Sequence, residues 1–311
     1  MEQIEIPLEN TFEDWRKLKF KFPKNKIRLA TLFSGIGAIE QALKRLKLKH
    51  EIVFAGDIDK NVKKSYLNNY QLNLEDWHDD ITKFSAKKYK YKVDLLVGGS
   101  PCQSFSMVGQ RGGLEDARGT LFYDFARVVN ESKPKVFIYE NVKGLLTANN
   151  KKAIKQIVRD FENIVPGYKV KVKLYNFADY GVPQLRERLL IVGIRSDIDF
   201  DFEHPNPTHS AKDDELLPHV TAGQALANIP SDAKNTEQQK LSPKTVEKLK
   251  LISAGGNFTD IPKDHPLYVK GMISHVYRRI HPDEPSKTII AGEGGMIMTN
   301  SKKISLYTNL L

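Results

Sequence analysis

Ile27-Arg28-Leu29-Ala30-Thr31-Leu32-Phe33-Ser34-Gly35-Ile36-Gly37 is the stretch on which the reading of this chain turns. It opens as an apolar run of strand length, Ile27 to Phe33, and ends on two glycines. Ile39, Ala42, Leu43 and Leu46 follow at i, i+3, i+4 and i+7, one face of a helix. The spacing predicts a buried strand, a tight turn and an amphipathic helix. Glycine lets the backbone come close to a ligand at the helix N-terminus, where free N–H groups point outward. Two glycines also suit a plain strand-to-helix turn, so this stretch alone names no ligand.

The pattern repeats outward from there. Ile52 to Ala55, Val93 to Val97, Val136 to Tyr139, Val170 to Leu174 and Leu189 to Ile194 read as further strands. Phe122, Phe125, Ala126 and Val129, then Ile154, Ile157, Val158 and Phe161, repeat the helical spacing. Alternation of this kind predicts an α/β fold, a Rossmann-like and mostly parallel sheet with helices on both faces. In such sheets the ligand lies beyond the carboxyl ends of the strands. After about Asp197 the texture changes, and residues 200–285 are rich in Pro, Asp, His and Lys. The expected organisation is an N-terminal extension over 1–26, a main domain over 27–198, a small irregular domain over 199–290, and the start of a return to the main domain over 291–311. Trp15, Leu18 and Phe22 of the extension could pack on the main domain.

The 311 residues are 40% hydrophobic and 28% charged, the balance of an ordinary globular protein. No apolar run approaches the ~18 residues of a membrane helix. Met1 to Asn10 is acidic and mixed, unlike a secretory signal, and the expected compartment is the cytoplasm. The net charge of +10 fits a polyanionic partner without identifying one. A single cysteine excludes an internal disulfide and a cysteine-based zinc site, and no metal is expected.

The second strand ends at Asp57, twenty residues after Gly37, where a doubly wound fold sets a carboxylate on a ribose hydroxyl. The third glycine of a dinucleotide fingerprint is missing, so a nucleoside cofactor without a pyrophosphate fits better. Asp80 is placed to take an adenine amino group, or to serve as a solvated turn residue beside Asp79. A lone cysteine is most often a small buried hydrophobe. Cys102, however, stands in Gly98-Gly99-Ser100-Pro101-Cys102-Gln103-Ser104, a polar loop just past a strand. Glu140 and Asn141 end another strand on the same edge, and Arg186 and Arg188 precede the last one. A thiol, a carboxyl and paired arginines above one sheet form an activated-nucleophile constellation.

These segments resemble the cytosine carbon-5 methyltransferase family, typified by bacterial restriction-modification enzymes. The matches are Phe33 to Gly37, Asp57, Asp80-Ile81, Pro101-Cys102-Gln103, Arg118 to Phe122, Glu140-Asn141-Val142 and Gln184 to Arg188, in the family's order. The resemblance implies S-adenosylmethionine as cofactor, held by Phe33, Ser34, Gly35, Gly37, Asp57, Ile58, Asp80, Ile81, Pro101 and Leu121. It implies double-stranded DNA as partner, with the target base flipped out of the stack. Cys102 would attack carbon 6 of cytosine, Glu140 would serve ring nitrogen 3, and Asn141 would shape the loop. Arg188 would orient the base and Glu140, with Arg186 supporting the site or pairing with Glu187. The loop from Ser104 to Arg118, with Gln103 and Ser106, would close over the flipped base. Arg278, Arg279 and Thr288 of the small domain are the further DNA-binding candidates.

Two alternatives accompany that reading. One is a tRNA cytosine methyltransferase, which shares these motifs but carries a Cys-Phe-Thr tripeptide that this chain lacks. The other is a catalytically incomplete DNA-binding subunit. Family members continue with a Leu-Thr-x-Arg-Glu helix and a Gly-Asn-Ser/Ala-Val segment, whereas here the sequence stops at Leu311. The chain then reads as one half of a split enzyme, with a second chain or subunit supplying those motifs, as a truncated gene product, or as a cut piece of a longer chain.

Overall fold

The computed structural model describes residues 25–101, 121–227, 229–230, 232–233, 241–268, 270 and 277–289. Strands β1 (Ile27–Leu32), β2 (His50–Gly56), β3 (Leu95–Gly98), β4 (Val136–Val142), β5 (Tyr168–Asn176) and β7 (Glu187–Arg195) build one six-stranded sheet in the order β2-β1-β3-β4-β7-β5. β2, β1, β3 and β4 run parallel, and β7 is antiparallel to β4. The six strand-like runs of the sequence all fall in this sheet. The order leaves β1 with β2 on one side and β3 on the other, so the loops after β1 and β3 diverge at a topological switch point.

Alternation along the strands sorts the two faces. Leu29, Val97 and Ile138 pack with Ile39 and Leu43 of α1 (Ala38–Arg45). Ala55 and Ile52 pack with Tyr66 and Val62 of α2 (Lys60–Asn69). Ala30, Leu96, Phe137 and Tyr139 point the other way, into the main core with α3 (Leu121–Ser132) and α4 (Lys152–Glu162). That core is dense in aromatic rings: Phe137 lies 4.3 Å from Phe161, and Phe122 lies 5.4 Å from Phe161. Each such ring, fully buried, contributes about 1.5–3 kcal/mol from area alone. Between Leu29 and Ala30 the register to β2 slips by one, leaving Val53 as a bulge.

One part of the helical pattern differs from expectation. Ala42 of the α1 stripe is exposed, and the buried positions of that helix are Glu40 and Leu43. A charged residue occupies the place an apolar one would take, because polar partners wait for it there.

The chain divides into two compact units, Met1–Leu174 with Arg188–Pro205, and Tyr175–Glu187 with Asn206–Leu311. The second is built from short pieces. β6 (Gln184–Leu185) pairs in parallel with β10 (Ser286–Lys287), and β8 (His209–Ser210) with β9 (Leu217–Pro218). α5 (Ala222–Leu226) starts with a Thr221–Gln224 capping box, and α6 (Pro243–Lys250) with Ser242 as cap and proline in its first turn. Its apolar clusters are small: Leu249, Ile252 and Ile261 form one, and Ala222 with Ile280 another. Among the described residues no helix is long and apolar enough to cross a membrane.

Candidate active site

Four loops converge on the carboxyl edge of the first unit's sheet. The loop after β1 turns through Phe33 at φ 55°, Gly35 at φ 54° and Gly37 at φ 91°, all left-handed. Glycine adopts that conformation without strain, whereas Phe33 does so at a cost. Ser34 locks the loop to the end of β2: its N–H and hydroxyl reach the Gly56 carbonyl at 3.1 Å, and its hydroxyl oxygen accepts the Gly56 N–H at 3.1 Å. Asp57 Oδ2 accepts the Gly35 N–H at 3.0 Å, and Oδ1 accepts that of Asp59 at 3.0 Å. A carboxylate has about four acceptor sites, so Asp57 keeps capacity for a ligand hydroxyl.

Beneath this loop lies a group the sequence reading missed. Glu40 is wholly buried, and its Oε1 accepts from Thr31 Oγ1 at 2.9 Å and from the Tyr66 hydroxyl at 2.6 Å. Burial, and then the nearby Glu40 charge, push the Tyr66 phenol upward, so it stays a donor. Tyr70 adds a bond to the Gly37 carbonyl at 2.8 Å. Nothing in the local sequence marks Glu40, because its donors stand 9 residues before it and 26 after it.

Trp77 bridges to Ala55, and the His78 N–H bonds the Ala55 carbonyl at 2.8 Å, laying this segment along β2. A Cβ on Gly56 would meet the His78 carbonyl at 2.3 Å, so only glycine fits there. Asp80 is engaged locally: Oδ1 accepts from Thr82 N at 3.0 Å and Oγ1 at 2.7 Å, and Oδ2 pairs with Lys83 at 3.2 Å. Its carboxyl is held below the usual range, first by the Thr82 hydroxyl. Ile81 is a core residue, while Ile58 is 80% exposed. Leu121 is the first residue of α3 and packs partly buried on the core.

His78 stacks on Phe84 at 3.7 Å, and burial pushes its imidazole down to about 4. An unfolded histidine titrates near 6.5, so between pH 6.5 and 4 the unfolded chain binds a proton that the folded one refuses. Stability therefore falls as pH drops through that window and levels out below it. The half-buried ring limits the effect to about 1 kcal/mol. We expect His78→Phe to flatten this part of the pH dependence of the urea midpoint.

The chemical edge is built from β3, β4 and β7. Across the antiparallel β4–β7 pair, Glu140 faces Leu190 and Val142 faces Arg188, making Glu140 and Arg188 diagonal neighbours on one face. Arg188 Nε meets Glu140 Oε1 at 2.7 Å. The Arg188 side chain is 16% exposed and that of Glu140 is 36%, so the carboxyl stays reachable while the arginine is mostly enclosed. A Cβ on Gly99 would lie 2.8 Å from the Glu140 carbonyl and 2.9 Å from its Oε2, so the backbone after β3 runs directly against Glu140. One residue on, Ser100 is pinned. Its carbonyl accepts from Asn141 Nδ2 at 3.2 Å, and its hydroxyl bonds the buried Tyr139 hydroxyl, which also meets Asn141 Nδ2 at 3.3 Å. Asn141 Oδ1 is taken by the Val142 N–H at 2.9 Å. Ser100, Tyr139 and Asn141 are all buried, and together they fix the peptide that leads into Pro101. Cys102, Gln103, Ser104, Ser106 and Arg118 lie outside the described residues, as do Trp15, Leu18 and Phe22.

The remaining candidates belong to the second unit. Arg186 precedes β7, and its carbonyl accepts the Phe177 N–H at 3.0 Å. Thr288 Oγ1 donates to the Leu185 carbonyl at 3.0 Å beside the β6–β10 pair. That uses the hydroxyl's only proton, so the hydroxyl could donate to a phosphate oxygen only by releasing Leu185. Arg279 donates from Nη1 to the Ile252 carbonyl, tying it to this unit's own small core. Arg278 is half-buried beside it.

A sequence model described as C-5 cytosine-specific DNA methylase matches residues 27–306. The chain belongs to that family. It is 53% identical over 273 residues to the type II methyltransferase M.NgoFVII of Neisseria gonorrhoeae, covering 87% of this chain and 71% of the relative. It is 38% identical over 288 residues to the type II methyltransferase M.BbvI of Brevibacillus brevis, covering 87% and 75%. Among solved structures it resembles a Spodoptera frugiperda DNMT2 variant, with TM-score 0.56 and 18% identity over 88% of this chain and 75% of that one. It also resembles the Entamoeba histolytica methyltransferase EhMeth, with TM-score 0.56 and 15% identity over 93% and 79%. These two likenesses show the fold alone. The family's chemistry, methyl transfer to carbon 5 of cytosine in DNA, is this chain's chemistry. Neither the tRNA alternative nor the incomplete subunit is favoured by these relatives, and a second chain finds no support in them.

Proposed function

We propose that this C-5 cytosine methylase uses Cys102 as nucleophile, Glu140 as the group serving ring nitrogen 3, and Arg188 as the holder of Glu140. The supporting observation is the pairing of the reachable Glu140 carboxyl with the mostly enclosed Arg188, with the Gly99 backbone packed against Glu140 three residues before Cys102. Carbon 5 of cytosine is a poor nucleophile. Attack by the Cys102 thiolate on carbon 6 forms an S–C bond and makes carbon 5 enamine-like. Charge grows on ring nitrogen 3 in that step, and the Glu140 carboxyl supplies a proton or hydrogen bond there. Arg188 fixes the carboxyl by a charge-assisted bond, which restricts where its proton can be delivered. Once carbon 5 has taken a methyl group, its proton passes to water or hydroxide and the Cys102 sulfur leaves as thiolate, which restores the ring.

The cofactor assigned by this reading is S-adenosylmethionine, and the loop after β1 suits it. Asp57 retains acceptor sites for a ribose hydroxyl, and Gly35 faces open space while Tyr70 packs against Gly37, but no third glycine prepares a pyrophosphate site. Held there, the cofactor supplies the methyl group that carbon 5 accepts. Phe33, Ser34, Gly35 and Gly37 would form its floor, with Ile58, Pro101 and Leu121 as neighbouring walls. Asp80, fixed by Thr82 and Lys83, would keep one acceptor site for an adenine amino group.

The second unit is the proposed reader of duplex DNA, with Arg278 as its first candidate contact. Arg186 would support the site, and Gln103, Ser104, Ser106 and Arg118 the loop over the flipped base. Action in the cytoplasm belongs to the same reading. The test is a pair of assays with Cys102→Ala as control. Wild type should transfer labelled methyl to DNA and not to tRNA, and trap a covalent adduct on 5-fluorocytosine DNA. Cys102→Ala should do neither; an adduct formed by that variant would overturn the nucleophile assignment.

A further inference from the structure

The amino edge of the same sheet carries a second charged feature that the chemistry does not use. Lys87-Lys88-Tyr89-Lys90-Tyr91-Lys92 leads into β3, and no acidic residue stands between Ile81 and Val93. Tyr89 faces inward, its ring 4.7 Å from Phe54. Tyr91 faces outward, 52% exposed, in a left-handed turn at φ 61°. Its N–H donates to the Ser132 carbonyl at 2.8 Å, and Arg28 bonds its carbonyl at 3.3 Å, so the backbone under the ring is fixed. The Arg195 guanidinium lies 5.1 Å from the ring centre and the Lys90 ammonium 5.5 Å.

The surrounding carboxylates are already taken. Asp94 holds Arg28 and Lys135, Asp197 holds Arg195, and Asp76 holds Lys88. Among the described residues no carboxylate pairs with Lys87, Lys90, Lys92 or Lys133. Lys133 is partly buried, its ammonium bonded to Asn130 Oδ1 at 2.6 Å and to the Val165 carbonyl. Burial and then the Lys90 charge push its pKa down. The fold thus maintains like charges side by side around a fixed, exposed ring, a cost that an anionic partner would relieve.

β4 carries Val136 at this amino edge and Glu140 at the chemical edge, four residues or about 13 Å along the strand. We propose that the Lys87–Lys92 turn, with Tyr91 and Lys133, binds the phosphate backbone of a second DNA segment, apart from the one undergoing methylation. The lysines supply point charges for phosphates, and the ring supplies a face or hydroxyl for the sugar-phosphate chain. The inference rests on DNA as the partner of this chain and on nothing in the proposed catalytic roles.

The variant Lys87→Gln/Lys90→Gln/Lys92→Gln tests it, since all three side chains are exposed and none serves the chemical edge. Two short duplexes, one carrying a donor and one an acceptor fluorophore, should show energy transfer when mixed with monomeric wild-type protein. The variant should lose that transfer while methylating a single short duplex within twofold of wild type. On long DNA its logarithmic salt dependence of affinity should be shallower by about 2 to 3, near 0.9 for each phosphate no longer neutralised. Unchanged transfer and an unchanged slope would overturn the proposal and leave an acidic protein or bare solvent as what this surface meets. Failure of wild type to methylate the short duplex would instead count against the activity reading, which the transfer signal does not depend on.

Discussion

Glu140→Gln is expected to lower kcat for DNA methylation by about 10²- to 10⁴-fold, with KM for DNA changed far less. Glutamine keeps the shape and one acceptor oxygen, so the diagonal contact with Arg188 can persist. What it loses is the charge and the transferable proton at the atom facing the base. Arg188→Lys should give a smaller loss, because an ammonium lacks the planar fork that fixes a carboxylate's orientation. If the two residues act as one unit, the double variant should be little worse than Glu140→Gln alone. Single-turnover methylation of one duplex measures all three variants. Additive losses would show that Arg188 acts on something other than Glu140.

Gly99→Ala is expected to be nearly as damaging by a different route. The added Cβ would meet the Glu140 carbonyl at 2.8 Å and its Oε2 at 2.9 Å, closer than real Cβ atoms come. The carbonyl has little room to yield, because Glu140 pairs with Leu190 of β7 and the residue before it, Tyr139, with both Gly98 of β3 and Ile191 of β7. Overpacking of this kind costs about 1–3 kcal/mol, or roughly 2–4 °C of Tm per kcal/mol at this chain length. The catalytic loss should exceed the thermal one, at about 10²-fold, because a displacement near 1 Å separates the carboxyl from the nucleophile's loop. Thermal unfolding and kcat measured on the same preparation separate the two effects. Wild-type kcat in Gly99→Ala would mean the loop and Glu140 are not held in register.

The sheet was legible in the sequence because each strand is an apolar run between turn residues, and three helices carried strong stripes. α2 was not. Its residues Lys60–Asn69 are mostly polar, and only Tyr66 is buried. The usable signal was Asp59, whose side chain accepts from Asn61 N at 2.7 Å and Val62 N at 3.3 Å as an N-cap. At the site, Glu140 and Arg188 were legible as strand-end residues and by family resemblance. The resemblance implied that Arg188 orients Glu140; the strand register adds how, as diagonal neighbours across the β4–β7 pair. Ser100 and Tyr139 went unnoticed because their bond joins positions 39 apart, and polar pairs of that kind leave no periodic trace. The pairing of Ser286-Lys287 with Gln184-Leu185 likewise joins positions about a hundred apart and leaves no trace in the sequence pattern.

The bulge at Val53 works as a frame counter for the cofactor edge. In an unbroken strand, residues three apart point to opposite faces, yet Ile52 and Ala55 both pack toward α2. The odd residue between them absorbs the mismatch, and the strand resumes in phase, with Thr31 opposite Ala55 and Leu32 opposite Gly56. Asp57 therefore arrives beside Gly35 because of the register set after the bulge, three residues on from the Ala30–Phe54 pair. Loss of Val53 would close the bulge and keep Ile52 opposite Leu29 and Phe54 opposite Ala30, whereas one residue added between Phe54 and Gly56 would need a second bulge or would set Gly56 where the carboxylate now stands. Length is thus a heritable constraint on this strand, separate from composition, and a deletion at the bulge should be tolerated more readily than an insertion after it.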